Sequence, residues 1–268
     1  MKRLDIGSST GWRVALGGCD AVVLRAARVN MIRDKAHDPL GLYRETNSEA
    51  TFNLARQAAG AAEKCFVFIS TIKVNGEGRD AAYRETDVTT PSDSYAISKG
   101  EAEQGLQRVT RETGLEFVIL RPLLVYGPGV KANSLRLMRT VERGWPLPQR
   151  AIRNRRSLLY LGNFFYAIRL RVEPPDVAGQ TFLPDGGLRV STPDMSRALA
   201  NAMGRLARLL EVPAGVFGKA GALPGKREAI ARLVGSLYVE GSFIRSRRGW
   251  TRPYPMEAGL AATVAALA

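Results

Sequence analysis

In the run SYAISK, Tyr95 and Lys99 stand four residues apart, a spacing that sets both on one face of a helix. A tyrosine with the reference pKa of ~10 is barely ionised at neutral pH, and a cation one turn away favours its phenolate. Such a pair is a usable proton acceptor. Tyr and Lys fall at this separation by chance on many helices, so context has to give it weight. The apolar run FVFIS ends at Ser70, with Thr71 next, about 25 residues ahead of Tyr95. The carboxyl end of a strand is where open α/β sheets place ligands. A hydroxyl there would hydrogen-bond a substrate oxygen while Tyr95 takes its proton.

The segments around these residues alternate between short β-branched runs and longer amphipathic ones, which predicts a parallel sheet covered by helices. AVVL (21–24) reads as a strand, and 39–62 as a helix with Leu42, Phe52, Leu54 and Ala58 on one face. FVFIS (66–70) is a strand buried on both faces. A polar loop over 75–92, a helix over 94–113 and the strand FVILR (117–121) complete a βαβαβ unit. Beyond Gly127 the pattern is less regular, with helices near 133–143, 192–210 and 226–236 and short strands at SLLYL (157–161) and TFLP (181–184). The division expected is 1–128 for the sheet domain and 129–268 for a smaller mixed α/β substrate region, interleaved with the last elements of the sheet.

Composition narrows the chemistry. The 268 residues are 45% hydrophobic and 24% charged, the balance of a soluble globular protein. The longest apolar stretch with little charge, 258–268, is far short of the ~20 residues a membrane span needs. The first residues also lack the apolar core of a signal peptide, so a cytoplasmic location is expected. One histidine, His37, and two cysteines, Cys19 and Cys65, argue against histidine catalysis, a metal site or a disulfide framework. Both cysteines read as small core residues. The net charge is +14, and thirteen of those charges lie beyond residue 130. That half calls for an anionic partner: nucleic acid, a membrane surface or a phosphorylated small molecule. No nucleic-acid-binding signature and no block of five like charges is present, so nucleic acid is set aside.

With these motifs in view, the chain resembles the extended short-chain dehydrogenases/reductases, within them the NAD-dependent epimerase/dehydratase family. The resemblance rests on VLRAARV (23–29), Asn47 and Thr51 in RETNSEAT, FISTIKVNGE (68–77), PSDSYAISK (91–99), RPLLVYGPGVKAN (121–133), NRRSLLYL (154–161) and GSFIRSRRGW (241–250). It implies a Rossmann-like, doubly wound parallel sheet and hydride chemistry with NAD. The activity implied is epimerisation at carbon 4 of a UDP-hexose through a 4-keto sugar. A nucleotide-sugar reductase or dehydratase, or a non-catalytic homologue that binds a nucleotide sugar or a protein partner, remains the alternative.

Position by position, the resemblance makes Tyr95 the acid/base, Lys99 its partner and ribose ligand, and Thr71 the catalytic hydroxyl beside Ser70. Asp5 and Ile6 would frame the adenine. Ala26, Ala27 and Asn47 would line the cofactor, and Arg121 and Pro122 would form the turn beneath the nicotinamide, although Arg121 reads equally well as a strand-end surface residue. Asn133, Arg156 and Arg232 would hold the substrate diphosphate, for which a guanidinium suits because its planar fork gives two hydrogen bonds and keeps its charge. Of Arg153, Arg155 and Arg156, one or two are expected to reach ligand. The resemblance also admits a homodimer.

The family's first strand and glycine-rich phosphate turn have no match. Gly7 and Gly11 in IGSSTGWRVAL come close, but AVVL aligns with the fourth strand of the fold and only 20 residues precede it. A single βαβ unit needs about 30. RLDI (3–6) then reads as the third strand, and the expectation is a sheet without its first strands, poor in bound NAD, with an exposed edge.

Overall fold

The computed structural model describes residues 5–29, 38–61, 65–130, 132–172, 178–222, 227–248 and 250–267. Three of the predicted strands pair in parallel, β1 (Ala21–Leu24), β2 (Cys65–Ile69) and β3 (Phe117–Leu120), with Val22 opposite Phe66 and Phe68 opposite Ile119. After the short β4 (Leu124–Tyr126) and β5 (Arg156–Tyr160), β6 (Gln180–Phe182) joins the same sheet beside β3. The order β1-β2-β3-β6 is parallel throughout. A second sheet runs β4-β5-β7, where β7 is Arg189–Val190 and pairs antiparallel with β5.

The helices in chain order are α1 (Arg13–Leu16), α2 (Pro39–Arg44), α3 (Ala50–Gly60), α4 (Ser94–Thr113), α5 (Ala132–Glu142) and α6 (Leu161–Val172). They continue as α7 (Thr192–Ala202), α8 (Ala214–Gly221), α9 (Arg227–Val234), α10 (Ser242–Arg248) and α11 (Met256–Ala265). Side chains alternate across the main sheet, as the pleat requires. Phe66 and Phe68 meet Leu54, Ala58 and Leu106 of α3 and α4 on one face, whereas Val67 and Ile69 meet Phe164 and Ala167 of α6 and Ile244 of α10 on the other. The sheet is therefore doubly wound, which is why its central strands β2 and β3 are apolar at every position. The second sheet packs with α5, α7 and α11 around Tyr126, Met138, Leu158 and Leu199.

α4 is the element on which the chemistry rides, and its ends are well defined. The Asp93 carboxylate caps its first turn by accepting from the Ala96 amide at 2.7 Å. Gly114, at φ 75°, takes the left-handed conformation that closes its carboxyl end. Gly105 lets α3 approach closely, since a Cβ there would stand 1.7 Å from the Phe52 ring. The foot of α4 is bolted to β3 by a buried ion pair. Arg121 donates from Nε to Glu103 Oε1 at 2.9 Å and from Nη2 to Oε2 at 2.5 Å, while its Nη1 reaches Asn75 Oδ1 at 2.9 Å.

Several expectations change. The helix expected over 39–62 runs over 39–60 with a π-helical stretch at Glu45–Glu49 inside it, and that expected over 192–210 ends at Ala202, ahead of Gly204 at φ 63°. α6 was not foreseen. Cys19 is exposed, not a core residue; its thiol donates to the Ala15 carbonyl of the short α1. His37 lies outside the described residues, as do residues 3 and 4 of the strand expected at 3–6; Asp5 and Ile6 form no strand.

Removing one partner of a buried ion pair strands the other charge in a dry interior, at about 3–5 kcal/mol. Glu103→Ala should lower the unfolding free energy by that amount in urea titration, and Arg121→Met added to it should recover most of the loss. A single-mutant loss below about 1 kcal/mol, the range of an exposed pair, would sink this account.

Candidate active site

The carboxyl ends of β1, β2 and β3 open onto the amino-terminal half of α4, and three side chains of that helix descend toward them at intervals of one turn. Glu103 is buried in its pair with Arg121. Lys99, 1% exposed, comes next; its Nζ donates to the Ile69 carbonyl at 2.8 Å and lies 4.3 Å from the centre of the Phe68 ring. Tyr95, at the mouth, is half-buried and tilted against Tyr43, with ring centres 6.3 Å apart. Among the described residues its hydroxyl has no hydrogen-bond partner.

Beyond Ile69 the chain turns sharply. Ser70 donates its amide to Leu120 O at 2.8 Å, Thr71 caps a short 3-10 turn over Ile72–Val74, and Ile72 donates to the Pro122 carbonyl at 3.1 Å. The Ser70 hydroxyl is buried without a partner among the described residues, and the Thr71 oxygen accepts from the Lys73 amide at 3.3 Å. Lys73 then reaches across to ion-pair with Asp93, the cap of α4, so one bridge sets the turn that carries Thr71 against the helix that carries Tyr95. Sequence reasoning missed this bridge, along with Glu103, Asn75 and Tyr43. Glu103 had a signal, since it continues the Tyr95–Lys99 spacing by one more turn.

Ala26 and Ala27 follow β1 at the same edge. Their loop is held by Asn47, which accepts from the Arg28 amide at 2.8 Å and donates from Nδ2 to the Arg28 carbonyl and to Ser98 Oγ, each at 3.0 Å. The Asn47 and Arg121 side chains, expected at the cofactor, are thus committed within the protein: one braces the loop, and the other anchors α4. Arg121 is not a surface residue either, being 6% exposed. Asp5 is exposed, in a loop tied to α3 through Asn53 and Gln57, while Ile6 packs on the core beneath.

Burial reverses the electrostatics read from the sequence. Lys99 was expected to favour the Tyr95 phenolate. Desolvation, added to by Asp93 and Tyr43, instead pushes Tyr95 up to about 12. Desolvation brings Lys99 down to about 7 despite the opposing pull of Glu103. The penalty for a charge in a dry site exceeds what either group gains from its neighbours.

The second group of expected residues lies at the start of β5. Arg156 donates from Nη2 to the Gly235 carbonyl at 3.2 Å, and among the described residues its buried Nε has no partner, a guanidinium short of an anion. Asn154 ties this strand to Thr192 and to the carboxyl end of α9 through Leu233 and Gly235. Arg232, exposed, sits on that helix. Arg153 and Arg155 are exposed. Asn133 is on α5, and its side chain lies outside the described residues. Among the described residues no group of three or more His, Cys, Asp or Glu side chains is placed to hold a metal.

The profile of the NAD dependent epimerase/dehydratase family matches residues 1–172. The UDP-glucose 4-epimerase of Vibrio cholerae is 41% identical over 265 residues, covering 98% of this chain and 81% of the relative. The chain belongs to the NAD-dependent epimerase/dehydratase family. Solved structures show the same fold: the UDP-glucuronic acid 4-epimerase of Bacillus cereus in complex with NAD superposes with a TM-score of 0.78 at 19% identity, covering 98% of this chain and 78% of that one. The UDP-N-acetylglucosamine 4-epimerase of the same organism also gives 0.78 at 19%, covering 97% and 83%.

The side chains of this epimerase/dehydratase family member suit one end of a nicotinamide dinucleotide. Lys99 has donors beyond the one spent on Ile69, and the Ser70 hydroxyl is buried and unpartnered, so both fit polar groups of a ribosyl nicotinamide. For the pyrophosphate, the described residues offer no glycine-rich turn at a helix amino terminus beside this edge.

The lowered Lys99 has a consequence for folding. Between pH 7 and 10.5 the unfolded chain holds a proton on this residue that the folded chain has released. Stability should therefore rise with pH in that window by up to about 1.4 kcal/mol per unit, the burden of the buried charge being greatest below pH 7. Unfolding of the cofactor-free protein should show this slope relative to Lys99→Met; parallel curves for the two would rule it out.

Proposed function

We propose that the chain interconverts UDP-hexoses by epimerisation at carbon 4, with Tyr95 as the group that takes and returns the proton of the carbon-4 hydroxyl. The observation that carries this reading is the 41% identity to a UDP-glucose 4-epimerase across 98% of the chain. The stripe of Tyr95, Lys99 and Glu103 above the carboxyl end of β2 supports it.

NAD, when bound, would accept the hydride from carbon 4 and later return it. The protein's own part is position and proton handling. Tyr95 presents a hydroxyl free of partners among the described residues, and the Thr71 hydroxyl has a proton to donate to the same sugar oxygen. A phenol held near 12 accepts a proton only when its ionised form is stabilised. Lys99, poised near neutrality one turn below, supplies the cation once it is charged. Ser70 and Lys99, with the Ala26–Ala27 loop braced by Asn47, would hold the nicotinamide side.

Arg156 would take the substrate diphosphate, helped by Arg232 and Asn133. Its buried, half-satisfied guanidinium is lowered by desolvation, a penalty an anion would relieve. A homodimer and a cytoplasmic location belong to the same proposal; the particle mass in solution and cell fractionation test them.

The test is conversion of UDP-galactose to UDP-glucose with added NAD. Tyr95→Phe should lower turnover about 10²- to 10⁴-fold, the usual contribution of a general acid/base, with UDP-sugar affinity changed only a few-fold. Near-normal turnover would remove Tyr95 from the chemistry. Arg156→Ala should weaken UDP binding in calorimetry by about 1.5–3 kcal/mol, the worth of a hydrogen bond to a charged group. Absence of UDP binding by the intact protein would overturn the substrate class, and binding without conversion would point to a non-catalytic homologue.

A further inference from the structure

Of the 22 basic residues beyond residue 130, the proposed diphosphate site uses two, Arg156 and Arg232, and eight others gather in one lobe of the second region. Besides Arg156, residues 136–160 contain six arginines and one acid, Glu142. Residues 199–212 contribute Arg205 and Arg208 against Glu211 alone. The backbone brings these two stretches side by side. Leu147 donates to the Arg208 carbonyl at 2.8 Å, Leu210 to the Leu147 carbonyl at 2.9 Å, and Arg150 to the Leu210 carbonyl at 3.0 Å. Arg143, Arg150, Arg205 and Arg208 are all exposed on the resulting ribbon and its flanks.

The same ribbon exposes large apolar side chains. Leu206 is 86% exposed, Trp145 58% and Leu210 52%. Together with the arginines they make this surface both basic and apolar. Basic residues interspersed with a tryptophan and leucines suit a charged interface over hydrocarbon: guanidinium groups meet lipid phosphates while the apolar side chains enter the acyl boundary. Nucleic acid is the poorer fit. Bases stack on open aromatic faces, and one face of Trp145 already carries Arg143, 5.2 Å from the ring centre. The leucines offer no stacking at all.

We propose that this lobe docks the protein on the surface of an anionic lipid bilayer. The contact is peripheral, since among the described residues no helix is long and apolar enough to cross a membrane. It is also separate from the diphosphate site, which uses Arg156 at the start of β5.

The test is cosedimentation of the whole protein with vesicles of phosphatidylethanolamine and phosphatidylglycerol, compared with vesicles of phosphatidylcholine alone. Binding should be confined to the anionic vesicles and should weaken with salt. Arg205→Gln with Arg208→Gln should lower it more than tenfold, at about fivefold for each arginine near the surface. Leu206→Ser should also lower it, and to a similar extent at low and high salt. Arg156→Ala should leave it unchanged, which separates the result from the fate of the proposed activity. Matching thermal midpoints show that the variants are folded. Equal binding to both vesicle types, no binding, insensitivity to these variants, sedimentation without vesicles as self-association, or stronger capture by duplex DNA would each overturn the proposal.

Discussion

A lysine that reaches no bulk water has to find an acceptor inside the protein, and Lys99 finds the carbonyl of Ile69, where β2 ends. Much of the site follows from that single contact. It fixes α4 in rotation above the sheet, so that Tyr95 stands at the mouth and Glu103 at the base, where Arg121 answers it. It also occupies the carbonyl just before the turn that presents Ser70 and Thr71. A buried polar group tolerates little displacement because its alternatives are unpaired. The proton-handling end is rigid for the same reason that it is dry.

Dryness sets the chemistry as well as the shape. In water a tyrosine and a lysine one turn apart would keep their ordinary protonation and attract. Here desolvation acts on each separately, raising one and lowering the other until Lys99 titrates near neutrality. The resting pair is therefore closer to a neutral phenol above a readily discharged amine than to a phenolate above an ammonium. Arg156 follows the same logic at the other end of the proposed substrate. Half-buried and with one nitrogen unpartnered, it is a cation whose missing interaction is an anion.

The second region serves two ends of the molecule. Its inner elements, β5 and the close of α9, hold Arg156 through Asn154, Gly235 and the backbone. Its outer ribbon carries the exposed arginines and leucines. The charge excess that first called for an anionic partner is thus divided between an inward guanidinium and an outward surface, and a count of charges could not separate them.

Much of the fold was legible in the residues alone. Apolar runs at FVFIS and FVILR read as strands covered on both faces, AVVL reads as a strand although its Val23 is exposed at the sheet edge, and β-branched or aromatic residues between polar loops mark where they start and stop. SYAISK carried its own geometry, because four residues make one helical turn whatever surrounds them, and α4 spans Ser94–Thr113 as read. The tertiary structure decided what lies between elements far apart in sequence. It turned Arg121 inward to Glu103, made Asn47 a brace for the loop after β1, and tied Lys73 to the cap of α4. Each of these partners lies some 18–20 residues away along the chain, beyond the reach of periodicity. Burial decided the rest, since the ionisation of Tyr95 and Lys99 depends on how much water the fold leaves around them, and no spacing of residues states that.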